Sequence, residues 1–336
     1  MNMVNIELTG NLTIQSVLDA HAPFTESLDS NDFSNVNQLY TKLQVRGSLT
    51  LKNAILTLPL NDEKVFFAFH KLNLINSKIV LNSSNTTIIC NEYEHEKSQI
   101  ISFVGNNQTA SRGNDGNAGG QNGQVGGSGM DAASCVMFVT DKVKTIGGAM
   151  SIDLTGQSGG DGGNGKAGAK GAQGGRGRNC SSGTIDCRSG CGNGHRGERG
   201  GKGGDGGNGG NGGDGGKFEF RFHGFSTPGD YFFSFISNGG KGGYKGFGAS
   251  GGEGGEGGNP GRSGCTWCDG RCYAGPRGEN GVHGGDGVNG SDGEKKHLIN
   301  SNFDMNYIKS YLTLWNGAKL AQELTFEFET GLSKKL

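Results

Sequence analysis

Gly156-Gln-Ser-Gly-Gly-Asp-Gly-Gly-Asn-Gly-Lys-Ala-Gly-Ala-Lys-Gly-Ala-Gln-Gly-Gly-Arg-Gly177 places glycine at 156, 159, 162, 165, 168, 171, 174 and 177. Period three matches one backbone, the left-handed polyproline II helix with its three residues per turn. One face of such a helix then carries only hydrogens. The helix cannot hydrogen-bond to itself, so its N–H and C=O groups must find neighbours. Glycine permits the close approach those bonds require. At ~3.1 Å per residue the stretch spans roughly 65–70 Å.

The same period recurs outward from this stretch. Glycine falls at every third position from Gly194 to Gly215, from Gly240 to Gly264 with Ala249 as the one break, and from Gly275 to Gly293. A shorter set, Gly113 to Gly129, slips phase at Gly119–Gly120. Residues 200–216 and 251–258 read Gly-Gly-x, and two glycine faces imply neighbours on two sides. Segment 275–293, with mostly one glycine per triplet, reads as an edge.

Glycine makes up 68 of 336 residues and proline only 5. Collagen needs a strict Gly-X-Y period with proline at roughly 15–20%, so a triple helix is excluded. Net charge is −1, from 31 basic and 32 acidic residues. That balance offers no field for nucleic acid or anionic lipid. No apolar run approaches the ~18 residues that span a bilayer, and the first residues lack the pattern of a secretory signal.

Residues 1–104 have ordinary composition and carry short alternating runs: Leu43–Arg46, Ser48–Lys52, Ala54–Leu58, Lys64–Phe69, Leu72–Ile75, Lys78–Leu81 and Thr87–Ile89. These read as strands with Asn-rich corners, in a β-solenoid or compact sandwich, the solenoid being favoured. One short helix is expected within 11–28. Apolar strands lead into the glycine blocks at Ile100–Gly105, Met150–Gly156 and Phe233–Gly239, and others leave at Cys135–Val139, Phe218–Phe222 and within 297–328. The expected organisation is a β attachment domain over 1–104, a polyglycine II bundle over 105–296 with β connectors at 130–155 and 218–238, and C-terminal strands over 297–336 that pack back. The fold class is all-β and irregular. Two long hairpins, 156–177 with 194–217 and 239–264 with 275–293, place their tips 178–193 and 265–274 at one far end.

Those tips hold six of the eight cysteines: Cys180, Cys187 and Cys191 in one, Cys265, Cys268 and Cys272 in the other. Disulfides are the favoured reading, because the tips have no apolar core of their own. A metal site and free thiols are the alternatives, since Cys-x2-Cys is also a zinc spacing. Spacing leaves the pairing among fifteen possibilities. Trp267, Tyr273, Arg188, Arg271, His195 and Arg196 lie in or beside the tips. Aromatic and arginine side chains on a rigid loop are the material of binding hot spots, and they form the candidate receptor-binding set; a Trp267 that merely covers disulfides is the competing reading. Cys90 and Cys135 sit in apolar runs and read as buried thiols.

Catalytic motifs do not survive inspection. The triplet repeat runs straight through Ser158 and Ser250, whose G-x-S-x-G frames would need a strand-to-helix elbow. Gly160–Ala167 lacks the Ser/Thr of a P-loop. Asp161, Asp205 and Asp214 read as solvated triplet positions, and Glu92–Glu96 as an exposed turn, with a surface metal site there as the alternative. No cofactor is expected, and the chain does not read as an enzyme.

The Gly-x-x blocks with cysteines resemble the snow-flea antifreeze proteins. Entries such as Ser151-Ile-Asp-Leu-Thr-Gly-Gln-Ser-Gly-Gly-Asp-Gly-Gly resemble more closely the tail-fibre tip adhesins of T-even-like phages. The resemblance covers roughly 100–295. It implies an attachment domain before a polyglycine II sandwich, with receptor-specific loops at the far end, here 178–193 and 265–274.

The functional expectation is a non-catalytic receptor-binding protein that meets a cell-surface protein or glycan at its tip. A larger fibre or assembly would attach through the β domain, outside cells or on a virion. A secreted toxin or effector is the alternative, and an ice-binding protein a further one. Exposed triplet positions rich in Asp, Asn, Lys, Arg and Glu argue against an ice-binding face.

Overall fold

The computed structural model describes residues 5–13, 47–58, 60, 64–223, 232–268, 270–288, 290–291, 293–294 and 298–302. Among the described residues thirteen strands form: β1 (Asn5–Thr13), β2 (Ser48–Thr57), β3 (Lys64–Ile75), β4 (Lys78–Val80), β5 (Asn85–Glu96), β6 (Gln99–Ile101), β7 (Cys135–Ile146), β8 (Met150–Asp153), β9 (Ser181–Ser182), β10 (Cys187–Ser189), β11 (Phe218–Phe222), β12 (Phe233–Ile236) and β13 (Leu298–Asn302). One 3-10 turn covers Gly105–Gln108, and the described residues contain no α-helix. The helix expected within 11–28 gives way at Asn11–Thr13 to β1, and its remainder lies outside the described residues. The Leu43–Arg46 run and the expected strands beyond Asn302 lie outside them as well.

Eleven strands make one curled parallel sheet, in the order β12-β8-β6-β4-β2-β3-β5-β7-β11-β13 with β1 on β2. Several short runs of the sequence fuse into long strands. Ser48–Lys52 of β2 pairs with Lys71–Ile75 of β3, while Ile55–Thr57 of the same strand pairs with β4. Lys64–Phe69 of β3 pairs with Asn85–Cys90 of β5, and Lys71–Ile75 with Glu92–Glu96. The chain therefore returns on itself every 23 or 21 residues, the separations of the cross-coil hydrogen bonds Asn73–Thr50 and Asn91–His70.

Corners are made by residues that tolerate positive φ. Asn53 (φ 48°) and Asn76 (φ 46°) stack in successive coils, and Asn76 Nδ2 donates to Asn53 Oδ1 at 2.7 Å. Lys97 and Gly147 turn the same corner in the next two coils. A second corner carries a polar ladder in which Thr140 Oγ1 donates to Asn91 Oδ1 at 2.6 Å and Asn91 contacts His70 at 3.0 Å.

Period-two alternation sends one set of side chains inward. Leu49, Leu51, Leu56, Phe69, Leu74, Ile88, Tyr93, Met137 and Ile152 are all buried in one cluster. Phe218, Phe220 and Phe233 continue it, with ring centroids 5.4 Å and 4.7 Å from Phe233. Glu92–Glu96 is not the exposed turn its carboxylates implied. It is the second half of β5, where Tyr93 and His95 face inward and Glu94 bridges Lys71 and Lys144 at 2.9 Å each.

The glycine blocks leave this sheet at one corner and return to it. Among the described residues six segments run side by side: I (108–116), II (121–130), III (156–177), IV (192–216), V (238–261) and VI (273–288, 290–291 and 293). They are joined by backbone hydrogen bonds of about one per triplet. Segment III donates from Gly156, Gly159, Gly162, Gly165, Gly168, Gly171, Gly174 and Gly177 to every third carbonyl of V. Segments I, III and V form one layer, and II, IV and VI the other. Segments III and IV sit at the centre, each bonded to four neighbours, and VI at an edge is bonded to two. Segment V touches III, IV and VI, as its two glycine faces require, but III is as central as IV.

The offsets between segments repeat those of the sheet. Met150 of β8 pairs with Phe233 of β12, and III pairs with V at the same separation of 83. Cys135 of β7 pairs with Phe218 of β11, and II meets IV again at 83. Segments IV and VI are 80 apart, like β11 and β13. One layer thus extends the β6–β8–β12 face and the other the β7–β11–β13 face.

Close packing explains the second glycine frame. A Cβ at Gly204, Gly207, Gly210 or Gly213 would lie 1.9–2.0 Å from a carbonyl oxygen of segment II. Segment II begins at Gln121, so the same frame carries Glu198 and His195 beyond its end, both exposed. The frame 160, 163 of segment III becomes Lys166, Ala169 and Ala172 past the same point. The Gly-Gly-x run therefore records the length of the first hairpin.

Candidate functional site

Loops 178–193 and 265–274 meet at the end of the bundle away from the sheet. Three disulfides join them: Cys180–Cys265, Cys187–Cys268 and Cys191–Cys272. Each bridge takes one cysteine from each loop, so six thiols that could have bound metal are consumed. Among the described residues no group of three or more His, Cys, Asp or Glu side chains is placed to hold a metal ion. Local backbone order is slight. The short strands β9 and β10 pair antiparallel, and Cys180 N–H donates to Arg262 C=O at 2.9 Å. Three cross-links therefore hold a cap that has no buried core, the arrangement expected where apolar area is scarce.

The sequence-predicted residues gather there. Arg188 lies on β10, exposed. Trp267 is 63% exposed and takes φ +69°, unusual for a bulky residue. Most of its ring is therefore open to solvent. Tyr273 is 66% exposed, and its N–H is held by Asn193 Oδ1 at 2.9 Å. Arg271 is exposed on the same loop. His195 and Arg196 begin segment IV just below it, and Arg196 pairs with Glu279 at 2.9 Å. The sequence reading missed Ile185, 81% exposed at the apex of the first loop, and Arg176, Arg178 and Arg262 at its base.

The aspartates of the shaft have a different task from the solvated one expected of them. Asp161 Oδ1 accepts the N–H of Tyr244, and Gly162 returns its own N–H to the Tyr244 carbonyl, both at 2.8 Å. Asn164–Gly165 clamps Phe247 in this way, Asp205–Gly206 clamps Gly285, Asn208–Gly209 clamps Val288, and Asp214–Gly215 clamps Glu294. The Asx-Gly step satisfies an outward N–H that would otherwise be left to water. For Asp205 the Gly285 N–H, followed by Lys202, holds the carboxyl below the usual carboxylate range. Asp286 is lowered by the Gly248 N–H and then by Lys245. One carboxylate oxygen of each is thus committed to backbone.

Cys90 and Cys135 are free and fully buried. Burial pushes the Cys135 thiol up to about 12, and raises Cys90 further. Neither is a nucleophile near neutral pH.

No family model and no curated protein matches the chain. Among solved structures it is similar to a springtail antifreeze protein from Granisotoma rainieri, a nine polyproline type II helical bundle whose crystal waters match the ice lattice. Identity is 21% over 54% of this chain and 93% of that one, with a TM-score of 0.08. A score that low carries no argument for fold or for function.

Proposed function

We propose that this chain is a non-catalytic receptor-binding protein, an adhesin whose working surface is the disulfide-tied cap formed by 178–193 and 265–274. In this reading the six glycine segments are polyglycine II helices packed as a two-layer sandwich, and the curled sheet is a β-solenoid that roots them. The supporting observation is the cap itself: two irregular loops, more than 80 residues apart, cross-linked three times and displaying Trp267, Tyr273 and arginines to solvent. A purely structural shaft would end in tight turns. A rigid loop loses little entropy on binding, so its exposed aromatic and arginine side chains become effective anchors.

Three disulfides indicate an extracellular or otherwise oxidising environment. No helix among the described residues is long and apolar enough to cross a membrane. Attachment to a fibre or virion through the sheet is part of the proposal. The experiment replaces 265–274 with a Gly-Asn turn and measures binding to intact target cells. Loss of binding with an unchanged melting transition supports the proposal, and unaltered binding refutes it.

A further inference from the structure

Arginine and lysine are segregated along this chain. Eight of the eleven arginines fall in 176–199 and 262–277, and none of the twenty lysines does. Only three acidic residues, Asp186, Glu198 and Asp269, share those windows. A chain of net charge −1 therefore carries a cationic distal end built wholly from guanidinium groups.

The kind of cation left unpaired separates this end from the shaft. Lower down, several cations meet acids, Arg112–Asp115 at 2.7 Å, Lys202–Asp205 at 3.0 Å and Lys245–Asp286 at 3.0 Å, and the exposed ones that form no ion pair among the described residues, Lys166, Lys170 and Lys241, are lysines. Arg277 meets Glu253 at 3.1 Å. At the cap, Arg176, Arg178, Arg188, Arg262 and Arg271 are exposed and form no ion pair among the described residues. Cations serving only solubility need not cluster, and lysine would serve equally well. Guanidinium is the group that grips planar oxyanions with two parallel N–H donors. The unmatched charge stands beside two exposed rings, Trp267 and Tyr273, whose flat faces suit the C–H face of a sugar.

We infer that the cap recognises an acidic glycan, with the five unpaired arginines gripping its carboxylate, sulfate or phosphate groups and Trp267 and Tyr273 packing on its rings. The inference rests on the adhesin reading and names the chemistry of its receptor. A long polyanion lying along the shaft is disfavoured, because the outer rows there carry Asp161, Asp205 and Asp214. Contact is therefore end-on.

The test immobilises polygalacturonate, dextran sulfate, polyglycerol phosphate, neutral dextran and duplex DNA, and measures binding of the full oxidised chain at low and at physiological salt. The three acidic arms distinguish the source of the oxyanion. Expected is saturable binding to at least one acidic polymer that weakens with salt, and none to dextran. The variant R176Q/R178Q/R188Q/R262Q/R271Q loses at least about tenfold in affinity, and the matching Arg→Lys variant recovers only part of it, since lysine keeps the charge but not the fork. The pair R176Q/R262Q, outside the loops, guards against misfolding of the larger variant and shows a smaller loss. The shaft variant K166Q/K170Q/K241Q binds as the parent does. Binding to no acidic polymer, unchanged binding of both Arg→Gln variants, or tighter binding to DNA overturns the inference. If the loop replacement still abolishes cell binding while every acidic polymer fails, the receptor is of another class and the adhesin reading stands.

Discussion

Replacing Gly207 by alanine tests the packing of the glycine segments most sharply. Gly207 lies in segment IV and is buried, with its N–H donated to Gly163 C=O at 2.8 Å and its carbonyl accepting from Gly246 N–H at 2.8 Å. An added Cβ would stand 2.0 Å from the Gln124 carbonyl oxygen and 2.5 Å from its carbon. Ordinary contact needs about 3.4 Å, so segment II must retreat by more than an ångström. Overpacking costs about 1–3 kcal/mol, and two or three loosened hydrogen bonds add about 1 kcal/mol each. The total is about 3–6 kcal/mol. At about 2–4 °C per kcal/mol, the melting temperature falls by roughly 6–24 °C. The control is Gly285→Ala in segment VI, where the nearest neighbour to a Cβ is Asp205 Oδ1 at 3.7 Å. That change should be neutral or stabilise by up to about 1 kcal/mol, since it restricts the unfolded chain. Calorimetry on both variants is the assay. A G207A melt within a degree of the parent would refute the close-packed account.

Reducing the disulfides should free the cap while leaving the shaft intact. By hydrogen exchange, the Cys180 amide loses protection and those of Gly206 and Gly209 keep theirs; simultaneous loss would show that the bridges hold the whole bundle. Acid should weaken the shaft. Asp115, Asp205 and Asp286 have carboxyls lowered in the fold, chiefly by backbone N–H donors. Their stabilisation is present above the unfolded value of about 4 and is lost as pH falls through the folded values. The D115N/D205N/D286N variant, whose amides keep the acceptor, should show a shallower acid decline in melting temperature, and an identical decline would count against the clamps. Cys90 and Cys135 should resist a maleimide in the native protein at pH 8 and react only at the rate of unfolding; rapid labelling would contradict their burial.

The glycine period made the segments, their order and their pairing into hairpins legible, because a face without side chains has one use. It also placed both cysteine loops at one end, since the apolar strand between the hairpins must return to the sheet. The disulfide partners were not legible, because cysteine spacing within each loop says nothing about facing positions on the other. The Asx clamps were missed because Asp161 and Asp205 look solvated in a single helix; their partners are 83 and 80 residues away and appear only when two segments lie in register. Segment III hid its central place because Lys166, Ala169 and Ala172 interrupt its second glycine frame where the first hairpin stops. In the sheet, the stacked corners at Asn53 and Asn76 were visible as Asn-rich breaks. The fusion of adjacent runs into β2, β3 and β5 was not, because a strand that bends across two faces reads as two short ones.

The most direct test of the cap is a non-reducing digest of the native protein, with the linked peptides identified by mass spectrometry. The account predicts three cross-links, Cys180–Cys265, Cys187–Cys268 and Cys191–Cys272, each joining one loop to the other, with Cys90 and Cys135 recovered as thiols. Any bridge within a single loop, such as Cys187–Cys191 or Cys265–Cys268, would contradict it, because the two loops would then have no covalent reason to form one surface.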